Sequence, residues 1–160
     1  MNPADELRLL ILGAQREGNR ALAGWLVPLG LTPAQSEVLA CLRTGGSMSL
    51  RELGLLLVCE TGSPSRLVDA LVKRGLIARQ DNPRDRRQVT LELTPEGRKL
   101  AGAAAEVDAA LGQWLRQTLG TAAIAAALEP LRLVTKGTIA GATVERRRGL
   151  ERVKGIEPSS

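Results

Sequence analysis

Basic side chains are concentrated in one stretch of this sequence, residues 61–88. The stretch holds seven basic residues against three acidic ones, a net charge of +4, while the whole 160-residue chain carries +5. The basic residues are Arg66, Lys73, Arg74, Arg79, Arg84, Arg86 and Arg87. Because clustered arginine and lysine side chains attract phosphate groups, this concentration indicates a polyanionic partner.

Groups that could perform other chemistry are scarce. The chain has no His, and its two cysteines are Cys41 and Cys59. It also lacks a Gly-rich phosphate loop after a strand and a nucleophile elbow, so we expect no enzyme, no metal site and no cofactor. Cys41 lies among apolar helical positions and is expected in the core. Cys59 directly precedes a basic helix, and we keep redox sensing there as an alternative to an inert thiol.

Capping signals predict the helices that position the basic stretch. The segments TPAQ (residues 32–35) and SLRE (residues 49–52) each place Gln or Glu three residues after a capping Thr or Ser. They predict one helix over residues 33–43 and a short one starting near residue 49. A third helix is predicted from Thr61 or Ser63 to Gly75. Two strands, residues 76–80 and 89–93, then enclose a polar loop over Asp81–Gln88.

The basic helix has two different faces. Leu67, Val68, Leu71 and Val72 fall on one side at 100° per residue, whereas Arg66 and Lys73 fall on the opposite side. One face is therefore expected to pack on the protein and the other to point outwards. The two basic residues either meet DNA or merely keep an exposed face solvated.

Longer helices flank this unit. Apolar spacing predicts a first helix over residues 5–29, another from Thr94 to about Leu119, and a last one over about residues 122–145 that Pro130 or Gly137 interrupts. Residues 146–160 read as a disordered basic tail, either simply solvated or attracted to phosphates. There is no signal peptide pattern and no segment of membrane-spanning length, so we expect a cytoplasmic protein that does not bind membranes.

Two short helices, a strand, an arginine-rich tip and a return strand form the pattern of a winged helix-turn-helix. With the segments LTPAQSEVLACL, LRELG, SRLVDALVKRGLIAR, NPRDRRQ and LTPEGRKL in order over about residues 31–100, the sequence resembles the MarR family of transcription regulators. The resemblance implies a mainly α fold with a small β-hairpin wing. It also implies a DNA-binding domain at residues 31–94, and dimerisation helices at residues 1–30 and 95–145.

The same resemblance implies a homodimeric regulator, most often a repressor, that binds a pseudo-palindromic operator in double-stranded DNA and is released by a small-molecule effector or an oxidant. Arg86 matches the arginine that the family inserts into the minor groove, and Asp85 with Arg87 would hold the shape of the wing. The predicted DNA-binding residues are Ser63, Ser65, Arg66, Lys73, Arg84, Arg86 and Arg87. Pro64 and residues 61–62 depart from the family pattern.

Trp25 is one of only two aromatic residues, the other being Trp114. It could line the pocket that relatives have between the dimer helices and the DNA-binding domain, or it could be part of the dimer core. The alternative for the whole protein is a winged-helix module that binds another protein and has lost DNA binding. An acidic or apolar outer face on the basic helix would be its sign.

Overall fold

The computed structural model of the chain describes residues 1–58, 63–82, 85–153 and 155, and it describes only the backbone of residues 81, 82 and 85–88. The described elements are α1 (Pro3–Leu26), a short 3-10 helix (Val27–Leu29), α2 (Pro33–Gly45), β1 (Met48–Ser49), α3 (Leu50–Gly54), α4 (Pro64–Lys73), β2 (Ile77–Asn82), β3 (Asp85–Leu93), α5 (Pro95–Thr135) and α6 (Ile139–Val153). The predicted fold class, mainly helical with a small β wing, is confirmed.

The predicted capping boxes are present. The Thr32 hydroxyl accepts a hydrogen bond from the backbone N–H of Gln35, and the Gln35 side chain accepts one from the Thr32 N–H. Ser49 and Glu52 form the same pair at the start of α3. The Ser49 backbone N–H, followed by the Ser49 hydroxyl, lowers the pKa of the Glu52 carboxyl by hydrogen bonding to its charged form. Local sequence therefore determines where α2 and α3 begin.

One hydrophobic core joins α2, α3, α4 and the sheet. Val38, Leu39, Leu53, Val68 and Leu71 each have no exposed surface. The predicted inner face of α4 is thus correct at its centre, while Leu67 and Val72 lie at the edge of the core. Complete burial of these aliphatic side chains holds α4 rigidly on α2, since each contributes about 1.5–3 kcal/mol.

The sheet has three antiparallel strands in the order β1-β3-β2. Strands β2 and β3 form the predicted hairpin, with Ile77 opposite Leu93 and Arg79 opposite Leu91. The prediction of a loop over residues 81–88 is wrong, because β2 continues to Asn82 and β3 starts at Asp85. Main-chain pairing extends the ribbon regardless of side-chain polarity. Strand β1, which is too short to show an alternating pattern, was not predicted.

The C-terminal helices break at glycines. Within α5 the helical path is interrupted at Gly120, which has φ 75° and ψ 161°, close to the predicted end at Leu119. The next segment passes through Pro130 without a break, and α6 starts after a turn in which Gly137 has φ 77°. Positive φ values favour glycine, so both turns depend on residues without a Cβ.

The prediction of a disordered tail over residues 146–160 is wrong for residues 146–153, which belong to a helix. Helix α6 continues to Val153, and residues 154 and 156–160 lie outside the described residues. Leu150 packs against the core, and Arg147 forms an ion pair with Glu37 of α2. These long-range contacts hold a segment whose composition alone suggests a solvated tail.

Large apolar side chains remain exposed along α1 and α5. Leu7 and Leu10 are 56% and 62% exposed, and Leu128 and Val134 are 44% and 68% exposed. Large apolar side chains exposed in this number are typical of surface that another chain covers. Among the described helices, none combines the length and hydropathy that crossing a membrane requires.

Candidate nucleic-acid interface

Helix α4 presents its basic side outwards. Val68 and Leu71 are buried against the core, whereas Arg66 and Lys73 are exposed, as the two-faced pattern predicted. Helix α4 begins at Pro64, where the lost N–H would have no helical partner. The segment thus combines a fixed inner face with a free basic outer face, which is what a groove-reading helix needs.

The start of α4 carries two serines. Ser63 has the extended backbone of an N-cap, yet its side chain makes no capping hydrogen bond. Its hydroxyl lies 2.7 Å from the hydroxyl of Ser65 instead. Ser63 is exposed and Ser65 is half-buried, so the pair lies at the outer end of the helix where base edges or phosphates could be reached. Cys59 and Thr61 lie outside the described residues.

The wing extends beside α4 as a two-stranded ribbon. The backbone of Asp85, Arg86 and Arg87 forms the first part of β3, and Asp85 pairs with Asn82 across the tip. The side chains of these three residues, and all of Arg84, lie outside the part of the chain that the structure describes. Their predicted roles in DNA binding and wing shape therefore stay predictions that concern the wing tip.

An ion pair joins the wing to the helix. Arg79 of β2 donates a hydrogen bond to the Asp69 carboxylate of α4. Both side chains are about half exposed, so the pair contributes less than about 1 kcal/mol to stability. The pair connects β2 of the wing directly to α4. Their contact could not be predicted from the sequence, because it depends on how β2 packs beside α4.

A second arginine holds the other end of α4. Arg74 donates a hydrogen bond of 2.9 Å to the backbone carbonyl of Gly30 and approaches the Gln35 side chain at 3.4 Å. Arg74 and Arg79 therefore both contact the protein. Arg66 and Lys73 are consequently the basic side chains that the described part of α4 directs outwards.

The base of the wing is built from a close backbone contact. Thr94 caps α5 by accepting a hydrogen bond from the Gly97 N–H at 3.0 Å, and its hydroxyl donates one to the Gly75 carbonyl at 2.7 Å. The Thr94 N–H also donates to the Leu76 carbonyl at 3.1 Å. Gly97 lies so close to Leu76 that a side chain there would overlap the Leu76 carbonyl. This contact joins the turn after α4 to the start of α5.

Trp25 lies on a groove outside this interface. Its side chain is 40% exposed, and with Pro28, Leu29, Val107 and Ala110 it lines an open groove of about 580 Å³ between α1 and α5. The groove is mostly apolar and has room for a small organic molecule. The position is compatible with both roles considered for Trp25, an effector pocket and a dimer core, and each stays a prediction.

Of the two cysteines, the structure describes Cys41, which is buried. Burial raises the pKa of the Cys41 thiol to about 11, the nearby Arg147 charge opposing and the Glu37 charge adding to that effect. Its thiol lies 3.7 Å from the Leu56 carbonyl, inside the core as predicted. A buried thiol with a raised pKa is unreactive. Cys59 lies outside the described residues, so its predicted redox role stays a prediction.

Sequence comparison identifies relatives of known type. A family model described as the MarR family matches residues 31–89. The multiple antibiotic resistance protein MarR of Escherichia coli (strain K12) is 34% identical over 110 residues, which cover 69% of this chain and 74% of that protein. MarR of Salmonella typhimurium is 36% identical over 88 residues, 55% of this chain, so the chain spans only 61% of the length of that relative.

Solved structures show the same fold. The crystal structure of a mutant MarR from E. coli complexed with operator DNA matches with a TM-score of 0.73 at 30% identity, covering 84% of this chain and 99% of that one. BpsR of Bordetella bronchiseptica, whose DNA binding is regulated by 6-hydroxynicotinic acid, matches with a TM-score of 0.72 at 26% identity, covering 82% and 99%. Sequence similarity over most of the relatives' fold, together with the winged helix-turn-helix described above, shows that this chain belongs to the MarR family.

Proposed function

We propose that this protein is a sequence-specific DNA-binding transcription regulator, and more narrowly a homodimeric repressor. The observation that carries the proposal is helix α4, which buries Val68 and Leu71 and directs Arg66 and Lys73 outwards beside an arginine-rich wing. Support comes from the MarR structure with operator DNA, which shares this fold. The proposed action is binding rather than catalysis, and it takes place in the cytoplasm without a cofactor.

The proposal divides the chain by role. Residues 31–94 read DNA, while residues 1–30 and 95–145 form the dimer. The exposed apolar side chains of α1 and α5, such as Leu10 and Val134, support a partner that packs on these helices. Two copies related by a twofold axis would place two α4 helices on a pseudo-palindromic operator. A solution mass of twice 17.0 kDa is the expected result of light scattering.

The contacts we propose fall into two sets. Ser63, Ser65, Arg66 and Lys73 on α4 face the major groove, where hydroxyl and basic groups meet base edges and phosphates. Arg84, Arg86 and Arg87 on the wing reach the minor groove, whose narrow A·T stretches attract arginine. Asp85 would hold the shape of the wing tip.

Release from DNA would follow binding of a small molecule to the groove beside Trp25. Its volume of about 580 Å³ and apolar walls suit a small organic molecule, and the related BpsR responds to 6-hydroxynicotinic acid. A ligand that prefers one spacing of the two DNA-binding units shifts the population away from the other. Trp25 fluorescence in a Trp114→Phe variant, titrated with aromatic carboxylates, tests this step. Oxidation of Cys59 is the alternative trigger.

DNA binding is tested by titrating the protein against the DNA upstream of its own gene at several salt concentrations. Arg86→Ala and Arg66→Ala are each expected to weaken binding by about 1–3 kcal/mol, roughly 5- to 150-fold. Arg16→Ala, an exposed arginine of α1, serves as the charge-matched control and should leave affinity unchanged. Weak binding that ignores both DNA sequence and salt would refute the proposal and favour a protein-binding module.

A further inference from the structure

The C-terminal end of α4 is bound to the turn between α1 and α2. Arg74, the C-cap residue of α4, donates a hydrogen bond from Nη1 to the backbone carbonyl of Gly30 at 2.9 Å. The same nitrogen lies 3.4 Å from Gln35 Oε1. Gly30 and Arg74 are 44 positions apart, so only the fold brings them together. One arginine therefore connects the segment that leaves α1 to the basic helix.

The acceptor carbonyl belongs to a turn that the core holds in place. Gly30 ends the 3-10 helix Val27–Leu29 with φ 60°, and its N–H donates to the Val27 carbonyl at 2.9 Å. The next residue, Leu31, is 5% exposed, and its N–H donates to the carbonyl of the fully buried Leu26 at 3.4 Å. The Gly30 carbonyl thus has a defined position relative to α1, and Arg74 relates the end of α4 to that position.

The same turn borders the groove between α1 and α5. Leu29, the last residue of the 3-10 helix, lines this groove beside Trp25. Helix α5 is also connected to the end of α4, because the hydroxyl of Thr94, which caps α5, donates to the Gly75 carbonyl at 2.7 Å. Both sides of the groove therefore contact the end of α4, through the adjacent residues Arg74 and Gly75.

The bond between Arg74 and Gly30 is sensitive to small movements. A hydrogen bond is lost once its donor and acceptor are more than about 3.5 Å apart, so a displacement of the carbonyl by less than about 1 Å breaks it. Val68 and Leu71 would keep the middle of α4 on the core, since both are fully buried. The C-terminal end of the helix would move instead, and there the exposed Lys73 directly precedes Arg74.

We infer that Arg74 is a positioning residue for DNA binding, and that its hydrogen bond to Gly30 couples the groove beside Trp25 to α4. The inference rests on the proposed function, because it assigns the contact by which the groove influences how α4 is presented to DNA. Arg74 itself does not need to touch DNA. A molecule in the groove that moves the turn breaks the contact, and the arrangement of α4 that binds DNA becomes less populated. By thermodynamic linkage, operator binding in turn changes the groove.

The first test needs no DNA. Amide hydrogen exchange is measured in the full chain for wild type, Arg74→Ala and Arg16→Ala. Arg16 is the charge-matched control, since it is an exposed arginine of α1. Without the bond from Arg74 the Gly30–Leu31 peptide can rotate, so the Leu31 amide should exchange about fivefold faster or more in Arg74→Ala and at the wild-type rate in Arg16→Ala. Unchanged Leu31 exchange in Arg74→Ala would overturn the inference.

Core amides show whether the effect is local. The amides of Leu39 and Val68, two residues without exposed surface, should exchange within about twofold of the wild-type rate in both variants. Faster exchange of these amides in step with Leu31 would mean general destabilisation, which also contradicts a positioning role.

The second test follows Trp25 while operator DNA binds. All proteins carry Trp114→Phe, so Trp25 is the only tryptophan. Binding of the DNA upstream of the gene is measured separately by the fluorescence anisotropy of labelled DNA. Saturating unlabelled operator should change the Trp25 emission of the Trp114→Phe parent, and Arg74→Ala should reduce that change by at least about half. A parent whose Trp25 emission ignores bound operator, or an Arg74→Ala variant with the full change, would show that Arg74 does not couple the groove to α4.

The third test is operator affinity as a function of salt. Arg74→Ala should bind about threefold or more weakly with the same slope of log K against log salt, because the complete complex keeps all of its phosphate contacts. A smaller slope would make Arg74 a direct phosphate contact, and unchanged affinity would show that its bond to Gly30 does not influence DNA binding; both overturn the inference. If wild type itself binds no operator, the proposed function fails, and the positioning role falls with it whatever the exchange rates show.

Discussion

Replacing Gly97 with alanine should destabilise this protein, although alanine is normally the better helix former. A Cβ on Gly97 would overlap the carbonyl oxygen of Leu76 and lie 2.9 Å from its carbonyl carbon, closer than the 3.0 Å that real Cβ atoms respect. The obstacle is backbone, which cannot rotate away as a flexible side chain does. Either α5 or the turn at Leu76 must therefore move.

The size of the effect follows from three contributions. Overpacking a tight site costs about 1–3 kcal/mol. The movement also disturbs the cap made by Thr94, whose hydroxyl accepts the Gly97 N–H, and a lost cap costs about 1 kcal/mol. The helix preference for alanine offsets at most about 1 kcal/mol. The net loss is about 2 kcal/mol, which lowers Tm by roughly 4–8 °C for a chain of this length.

Urea unfolding followed by circular dichroism measures this difference, at one fixed protein concentration because dimerisation contributes to apparent stability. Gly102→Ala is the matched control, since Gly102 is on the same helix and a Cβ there would meet no atom within 4 Å. It should stabilise the protein by up to about 1 kcal/mol. Equal or higher stability of Gly97→Ala would refute the steric argument. The same variant should weaken operator binding, because Leu76 directly precedes β2, the first strand of the wing.

Four further outcomes are expected. Thr94→Ala should lower the free energy of unfolding by about 1–2 kcal/mol in the same assay, whereas Thr94→Ser, which keeps the capping hydroxyl, should lose little. In a Cys59→Ser variant, the thiol of Cys41 should react with a disulfide reagent at pH 8 only as fast as the protein unfolds, because burial raises its pKa to about 11. Because the folded pKa of Cys41 lies above the ordinary 9.0, the contribution of this protonated thiol to the free energy of unfolding is complete below pH 9 and is lost as the pH rises to about 11. Cys41→Ala should reduce this loss of stability at high pH. Asp69→Ala and Arg79→Ala should show a coupling energy below about 1 kcal/mol in unfolding but a clear coupling in operator affinity. A double-mutant cycle with no coupling in affinity would show that this ion pair does not help position the wing and α4 on DNA.

Local sequence was sufficient for most of the secondary structure. Capping boxes at Thr32 and Ser49 involve residues three positions apart, so their hydrogen bonds form within one helical turn and can be read without the fold. The two faces of α4 follow in the same way from helical periodicity. Strand β1 and the full length of the wing could not be predicted from the sequence. Both depend on main-chain hydrogen bonds to a neighbouring strand, and these bonds require no particular side-chain pattern.

The sequence by itself determined the family, the basic character of the stretch around α4 and the outward direction of Arg66 and Lys73, since motif order, charge and periodicity are all local properties. Only the tertiary structure decided which arginines bind other parts of the protein and which point to solvent. Arg74 and Arg79 bind Gly30 and Asp69, and Arg147 binds Glu37 across 110 positions of the chain. Hydrogen bonds and ion pairs depend on distances of about 3 Å, which chain folding sets between residues remote in sequence. The same dependence explains why residues 146–153, a basic tail by composition, form a helix that packs against α2.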